Sequence, residues 1–197
     1  MKYKFIFLFF LLSFAFIFAQ EKKENDYLFE VKPAFFYFND NTARELYGKG
    51  GFMPSLEWHG RIYDVLFWFL ETGVLYKDGH HYHVDTDCDL LLFPISFGFK
   101  AICSIRHDIQ FYGKIAPNWI YSKTWSEYEH HKKEKSENTF GATFGVGFVF
   151  LPHPNCTIDF FAGYLFDRKT IKHTEYNHKF KRYLGGFPFG IGVGYSF

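Results

Sequence analysis

Residues 187–197, FPFGIGVGYSF, alternate strictly between large apolar side chains and compact residues. A period of two places the large side chains on one face of a β-strand and leaves the other face nearly bare. Lipid on the first face and a narrow lumen on the second account for both halves of the pattern. The stretch therefore predicts a strand of a transmembrane β-barrel. The large residues are Phe187, Phe189, Ile191, Val193, Tyr195 and Phe197.

The N-terminus predicts export. Lys2 and Lys4 precede a mainly apolar stretch that ends in a small-residue cleavage point at Ala19, which is the pattern of a secretory signal peptide. We expect residues 1–19 to be removed and residues 20–197 to form one domain. The rest of the chain lacks the run of about 18 apolar residues that a membrane helix needs. An exported chain without such a helix can still be integral to a membrane as a closed barrel.

Composition agrees with a lipid-facing protein. Aromatic residues make up 24% of the chain, with 29 Phe and 14 Tyr, which fits an outer surface with aromatic girdles. The net charge of +1 gives no sign of nucleic-acid binding. Cys88, Cys103 and Cys156 are an odd number for an exported protein, and we expect free thiols rather than a disulfide.

The chain contains eight alternating segments whose connections are in turn long and short. This is the signature of an up-and-down barrel with short periplasmic turns and longer extracellular loops. We therefore predict an all-β, transmembrane, antiparallel barrel of eight strands with four extracellular loops. The predicted strands are residues 27–38, 51–62, 65–77, 88–103, 108–122, 138–151, 156–167 and 180–197. The short turns are 63–64, 104–107 and 152–155, and the long loops are 39–50, 78–87, 123–137 and 168–179.

Charged residues assign the inner face. A charge that faces hydrocarbon at the membrane midplane costs about 2–4 kcal/mol, so the charged face must line the lumen. The same compact face carries glycines, which suit a narrow interior. A soluble, lipocalin-like barrel with an apolar interior is the alternative, and these two features argue against it. By alternation the inner face includes Glu30, Lys32, Ser55, Glu57, His59, Arg61, Glu71, Lys100, Lys114, Gly141, Gly145 and Gly147.

The inward charges predict a filled lumen. An eight-stranded barrel has room inside only for side chains, and buried charges of both signs must pair. We expect an ion-pair network that acts as a structural plug, with a narrow path for ions or protons along the same groups as the alternative. The network would comprise Glu57, His59, Arg61, Glu71, Lys100 and Lys114.

A second candidate site lies at the rim. Imidazole and carboxylate groups recur at every second residue in the second long loop, and such groups can ligate zinc, copper or nickel. Histidines of the third loop could complete the site. The competing interpretation is a solvated loop whose histidines have no specific role. The residues are His81, His83, Asp85, Asp87, His130 and His131.

Catalysis is not predicted, and neither is a cofactor. Ser55, Glu57 and His59 have the residue types of a hydrolase triad, but they lie on one face of a single strand. A triad needs its base in contact with the nucleophile and an oxyanion hole beside it. Inside the plug these groups would have no route for a lipid substrate.

Taken together, these features resemble the small eight-stranded outer-membrane barrels of the OmpA, OmpX and OmpW type. The resemblance is carried by the signal peptide, the strand count, the loop asymmetry and residues 190–197, GIGVGYSF. Residues 90–100, LLLFPISFGFK, also look like a strand common in such barrels. The resemblance implies contact with lipid in the outer membrane of a Gram-negative bacterium. The ending looks like the signal that the barrel-assembly machinery reads after periplasmic chaperones deliver the chain. That signal would be Phe189, Ile191, Val193, Tyr195 and Phe197.

The resemblance implies an architecture rather than an activity, because such barrels include anchors, adhesins, small pores and a few lipid-modifying enzymes. We expect a surface-exposed structural or interaction role. The alternatives are a small pore or conduit for ions or small solutes, and a rim metal-binding barrel.

Overall fold

The computed structural model describes residues 27–81, 86–128, 131–167 and 183–197. They form an antiparallel sheet of 11 strands that closes into a ring. The ring has eight membrane strands, and three of these are interrupted and so count as two strands each. The predicted fold class is confirmed. The signal-peptide prediction, residues 1–19, lies outside the described residues. No helix in the described part of the chain has the length and apolar character needed to cross a membrane.

Each of the first three membrane strands is broken once, and the other five are continuous. Pro33 lies at the first break, since proline has no N–H to donate to a ladder. The broken strands are β1 (Tyr27–Lys32) with β2 (Ala34–Phe38), β3 (Gly50–Phe52) with β4 (Ser55–Tyr63), and β5 (Leu66–Gly73) with β6 (Leu75–His81). The continuous strands are β7 (Thr86–Arg106), β8 (Ile109–Tyr128), β9 (His131–His153), β10 (Cys156–Asp167) and β11 (Gly186–Ser196). Helix α1 (Asn41–Tyr47) joins β2 to β3.

Strand β11 closes the ring. It pairs with β10 on one side, and on the other side with β1 and then with β2. Leu28 lies opposite Ser196 at one end of this seam, and Phe38 lies opposite Gly186 at the other. The alternation of the strands puts apolar side chains outside: Phe144 and Phe148 are exposed, whereas Thr143, Gly145 and Gly147 on the other face are buried.

The long connections are more ordered than the sequence indicates. Residues 39–50 contain α1, and residues 123–137 are largely an extension of the β8–β9 ladder, which continues to the pair Tyr128 and His131. Strands β6 and β7 likewise continue to the pair His81 and Thr86. Polar residues at alternate positions sustain a ladder as well as apolar ones do when both strands already have the right register. Residues 168–179 lie outside the described residues.

The half of the interior next to α1 is apolar, which the sequence analysis did not predict. We call this the outer cluster. Helix α1 covers it: Asp40 Oδ1 accepts a hydrogen bond from the Ala43 N–H at 3.0 Å and caps the helix, and Gly48 ends it at φ 74°. The outer cluster is Phe36, Phe38, Ala43, Leu46, Tyr47, Met53, Leu75, Leu90, Leu92, Ile120, Leu165 and Leu184.

Candidate functional site

The other half of the interior holds a cluster of charged side chains, which we call the ion cluster. Its members come from six strands, β1, β4, β5, β7, β8 and β10, so the ring itself brings them together. Most are fully buried, and Glu71 is the most exposed at 15% of its side chain. The ion cluster is Glu30, Lys32, Glu57, His59, Glu71, Lys100, Tyr112, Lys114 and Asp159.

Strand register creates two rows of like charge. Glu57 lies directly opposite Glu30 on one neighbouring strand and opposite Glu71 on the other. Lys100 lies opposite Lys114 in the same way. Like charges in such positions repel, so each row needs the other as its partner.

Glu57 is the centre of the ion cluster. Its Oε2 accepts hydrogen bonds from Lys32 Nζ at 2.8 Å and from Lys114 Nζ at 2.7 Å, and its Oε1 accepts one from Lys100 Nζ at 2.8 Å. Three charged donors on one buried carboxylate are strong hydrogen bonds in a medium of low dielectric constant. Removing this carboxylate would leave three ammonium groups short of a partner.

Asp159 and Tyr112 extend the ion cluster to the far wall. Lys32 Nζ lies 2.8 Å from Asp159 Oδ2, and the Tyr112 hydroxyl donates to the same oxygen at 2.8 Å. Lys100 Nζ lies 4.0 Å from the centroid of the Tyr112 ring, a favourable cation–π distance. These contacts tie β1, β7, β8 and β10 across the lumen.

The charges of the ion cluster nearly cancel. The ammonium groups of Lys32, Lys100 and Lys114 meet four carboxylates, those of Glu30, Glu57, Glu71 and Asp159. His59 Nδ1 lies 3.2 Å from Glu57 Oε1 and 3.4 Å from Lys100 Nζ.

A metal ion is a poor occupant of this cluster. Glu30, Glu57 and His59 place ligand atoms within 4.8 Å of one another. However, both carboxylate oxygens of Glu57 already accept from lysine ammonium groups at 2.7–2.8 Å. The positive charge that these acidic groups require is therefore supplied by the chain itself.

Comparison with known proteins identifies the architecture. No protein-family model matches the chain, and no curated protein does. Among solved structures it is similar to the outer-membrane protein OprG of Pseudomonas aeruginosa, with a TM-score of 0.65 and 13% identity over 89% of this chain and 97% of that one. It is also similar to the attachment invasion locus protein Ail of Yersinia pestis, with a TM-score of 0.59 and 17% identity over 89% of this chain and 100% of that one. A third is the outer membrane protein W of E. coli, with a TM-score of 0.53 and 12% identity over 90% of this chain and 100% of that one.

This chain has the fold of the small outer-membrane β-barrels. The resemblance stated from the sequence is thereby confirmed at the level of architecture. In this barrel, the ion cluster occupies the lumen.

The barrel brings five of the six predicted lumen residues together and leaves one out. Glu57, His59, Glu71, Lys100 and Lys114 meet in the ion cluster. Arg61 is exposed, and its guanidinium lies 5.7 Å from the centroid of the Phe67 ring. Arg61 still pairs in register with Phe67, as His59 does with Phe69, but it lies at the end of β4 next to the turn, where its side chain is exposed instead of packed in the ion cluster.

Sequence reasoning missed Asp159 and Tyr112. The signal for Asp159 was available, because it alternates with Ile158 and Phe160, which face outward. The role of Tyr112 was not readable, since an inward tyrosine on an alternating strand carries no charge to mark it. Both residues are buried, and their contact joins β8 to β10.

The hydrolase-like trio has no catalytic geometry. The Ser55 hydroxyl lies 3.4 Å from Glu71 Oε1 and 3.5 Å from the Lys32 carbonyl oxygen. The hydroxyl is therefore directed to a carboxylate and a carbonyl oxygen rather than to an imidazole base. Glu57 in turn is saturated by lysines. The arrangement is that of a packed interior.

The rim metal site stays a prediction. His83, Asp85 and His130 lie outside the described residues. The backbones of the other three pair His81 with Thr86, Asp87 with Glu127, and His131 with Tyr128. Zinc binding that is lost on changing His81 and His83 would support the site.

The C-terminal strand presents its large side chains outward. Tyr195 is half-buried, and its hydroxyl oxygen accepts a hydrogen bond from Asn155 Nδ2 at 3.4 Å. Recognition of this strand by the assembly machinery stays a prediction. The exposed members of the proposed signal are Phe189, Ile191, Val193 and Phe197. The three cysteines, all in the described part of the chain, form no disulfide.

Proposed function

We propose that this protein is an integral β-barrel of a Gram-negative outer membrane with a closed lumen and a structural or interaction role at the cell surface. The proposal rests on one observation, that two successive clusters of side chains fill the interior of the ring. The ion cluster occupies one half of the interior and the outer cluster, under α1, occupies the other. A solute would have to displace both to cross.

A role at the surface is supported by the hairpins that extend beyond the membrane band. On β8 and β9, aromatic residues Trp119 and Phe140 lie opposite each other, as in an interfacial girdle. Beyond them, the Lys123 ammonium lies 2.8 Å from Glu134 Oε2, and the Trp125 indole donates to Glu134 Oε1 at 3.0 Å. A sheet held in this way presents a fixed polar surface to partners outside the cell.

The identity of a partner does not follow from the neighbours. Ail was solved in complex with the heparin analogue sucrose octasulfate. In this chain Lys123 and Lys135 each lie 2.8 Å from a glutamate carboxylate, so these lysines are already neutralised. These two lysines therefore give no support for polyanion binding at this hairpin.

Two measurements on the mature chain, refolded in detergent, test the proposal. We expect the unheated protein to migrate differently from the boiled protein on a gel, because a closed barrel resists detergent until heated. In planar bilayers we expect no single-channel conductance. Conductance that is abolished by Lys100→Ala or Glu57→Ala would instead identify a pore, and a soluble protein that shows no gel shift would contradict the membrane barrel itself.

A further inference from the structure

The inner face of β9 differs from the rest of the upper wall. From Gly147 to Lys135 its inward positions are all glycine or polar, whereas the facing positions on β6 and β7 are leucines such as Leu75, Leu90 and Leu92. The β9 column begins beside the ion cluster and ends at the outer mouth. We call it the polar track, and it consists of Gly147, Gly145, Thr143, Gly141, Thr139, Glu137 and Lys135.

Side chains of β8 lie across the polar track. A Cβ atom on Gly145 would lie 2.8 Å from Lys114 Cε, and one on Gly141 would collide with the Phe166 carbonyl oxygen of β10 and lie 2.9 Å from Asn118 Oδ1. Lys114 therefore uses the space that Gly145 leaves, and Asn118 lies against Gly141. The Asn118 amide donates to Thr143 Oγ1 at 3.0 Å, so polar groups continue upward from the ion cluster.

Three oxygen atoms along this path have no hydrogen-bond partner among the described residues. They are Asn118 Oδ1, Thr139 Oγ1 and Glu137 Oε2, each buried from solvent. Asn118 and Thr139 are 3% and 2% exposed, and they lie on neighbouring strands, with Asn118 opposite Gly141 and Thr139 opposite Ile120. A buried polar atom without a partner costs about 1–3 kcal/mol, and native proteins leave few of them.

All three atoms accept hydrogen bonds, and a water molecule can donate two. Buried waters in proteins bind at such clusters of otherwise unsatisfied groups. At the upper end, the Glu137 side chain is 14% exposed and its Oε1 pairs with Lys135 Nζ at 2.8 Å, so the path reaches solvent there. At the lower end it meets Lys114, a member of the ion cluster.

We propose that a chain of bound water molecules occupies the polar track and connects the ion cluster to the outer mouth. The barrel would then be closed to solutes but hydrated along one wall. This inference goes beyond the proposed function and does not require a surface partner.

The test compares two threonines of the polar track in the full mature chain in lipid nanodiscs. Thr139→Val removes a hydroxyl that has no partner among the described residues. Thr143→Val is the matched control, because the Thr143 hydroxyl has two partners, Asn118 and Ser96 Oγ at 2.9 Å. If water is bound, both variants lower the unfolding midpoint. If the track is dry, Thr139→Val leaves the midpoint unchanged or raises it while Thr143→Val still lowers it, and the proposal is overturned.

A direct measurement separates hydration from packing effects. Magnetisation transfer from water in NMR should reach the Asn118 side-chain amide and should fall at least twofold in Thr139→Val. The backbone amides of Leu90 and Leu92, on the apolar wall, serve as the internal control and should receive none. The assignment of water would be overturned if no transfer reached Asn118. It would also be overturned if the unfolding midpoint depended on which monovalent cation is present.

Discussion

The two halves of this barrel's interior solve the same problem with opposite chemistry. The ion cluster joins six strands through charged hydrogen bonds centred on Glu57, whereas the outer cluster fills the ring with apolar side chains and is covered by α1. Both fill their part of the lumen with side chains that contact one another. They differ in how they fail, because a lost ion partner leaves a buried charge and a lost apolar group leaves a cavity.

The comparison teaches that position in the ring decides which chemistry is available. Glu57 and Lys100 can be buried because the register places partners of opposite charge within 3 Å from neighbouring walls. In the outer half, Leu90 and Leu92 meet a helix that brings its own apolar face, including Leu46. Charged residues there would lack partners at fixed positions.

The largest effect should come from the centre of the ion cluster. Glu57→Gln keeps the size of the side chain but leaves Lys32, Lys100 and Lys114 without their shared carboxylate. We expect the free energy of unfolding to fall by about 3–5 kcal/mol, the range for breaking a buried pair on one side. Denaturant unfolding from lipid vesicles, followed by tryptophan fluorescence, measures it.

Glu71→Gln is the matched control for that prediction. Glu71 pairs with Lys114 at 2.7 Å and is 15% exposed, so its loss leaves less uncompensated charge and some access to water. We expect a clearly smaller loss of stability than for Glu57→Gln. Equal losses would mean that Glu57 is not the centre of the cluster.

The next effect tests the outer cluster. Leu92→Ala removes a fully buried side chain from the apolar interior and should lower the free energy of unfolding by about 3 kcal/mol, within the usual range for a buried leucine. Leu70→Ala is the control, because Leu70 faces outward and is 39% exposed. If the two variants behaved alike, the outer half would not be a packed core.

A smaller effect is expected at the cover of the outer cluster. Asp40→Ala removes the oxygen that caps α1 and should cost about 1 kcal/mol. Faster hydrogen exchange of the Ala43 amide, whose partner is lost, should accompany it. Glu45→Ala, an exposed position of the same helix, is the control and should leave this exchange rate unchanged.

The smallest effect lies outside the membrane band, in the β8–β9 hairpin. Hydrogen bonds from the Lys123 ammonium and then from the Trp125 indole hold the pKa of the Glu134 carboxyl below its ordinary value. A lowered folded-state pKa means that this contribution is present above the ordinary pKa and is lost as pH falls through the lowered one. NMR titration of Glu134 should show the low pKa, and Lys123→Met should return it towards normal. A titration unchanged by Lys123→Met would show that the ion pair does not form in solution.

The parts of the fold that follow a period of two were predictable from sequence. Glu57, Lys100 and Lys114 were assigned to the lumen because a charge on the opposite face would meet lipid. The C-terminal strand was assigned from alternation alone, since Phe189 and Ile191 alternate with glycine. Alternation fixes a face without any knowledge of neighbouring strands.

Other parts of the fold depend on tertiary contacts and could not be predicted from the sequence. The α1 segment is polar overall, and its cap at Asp40 and buried face at Ala43 and Leu46 are too short to stand out within a loop. The outer cluster was missed because the glycine-rich strands suggested a compact inner face throughout, whereas Leu90 and Leu92 are bulky. Arg61 lies outside the ion cluster because it is at the end of β4, and alternation assigns a face without showing where along the strand the packed interior ends.

The seam of the ring has a consequence for folding kinetics. Leu28 pairs with Ser196, 168 positions further along the chain, whereas Tyr128 pairs with His131, only three positions further along. Local hairpins form quickly, and a contact between distant segments must first overcome the entropy of closing a long loop. We therefore expect the β8–β9 hairpin to form early and the β1–β11 seam to close last. Until that step both edge strands stay open to pairing with another chain, so the rate of closure sets how long the folding protein is exposed to misassembly.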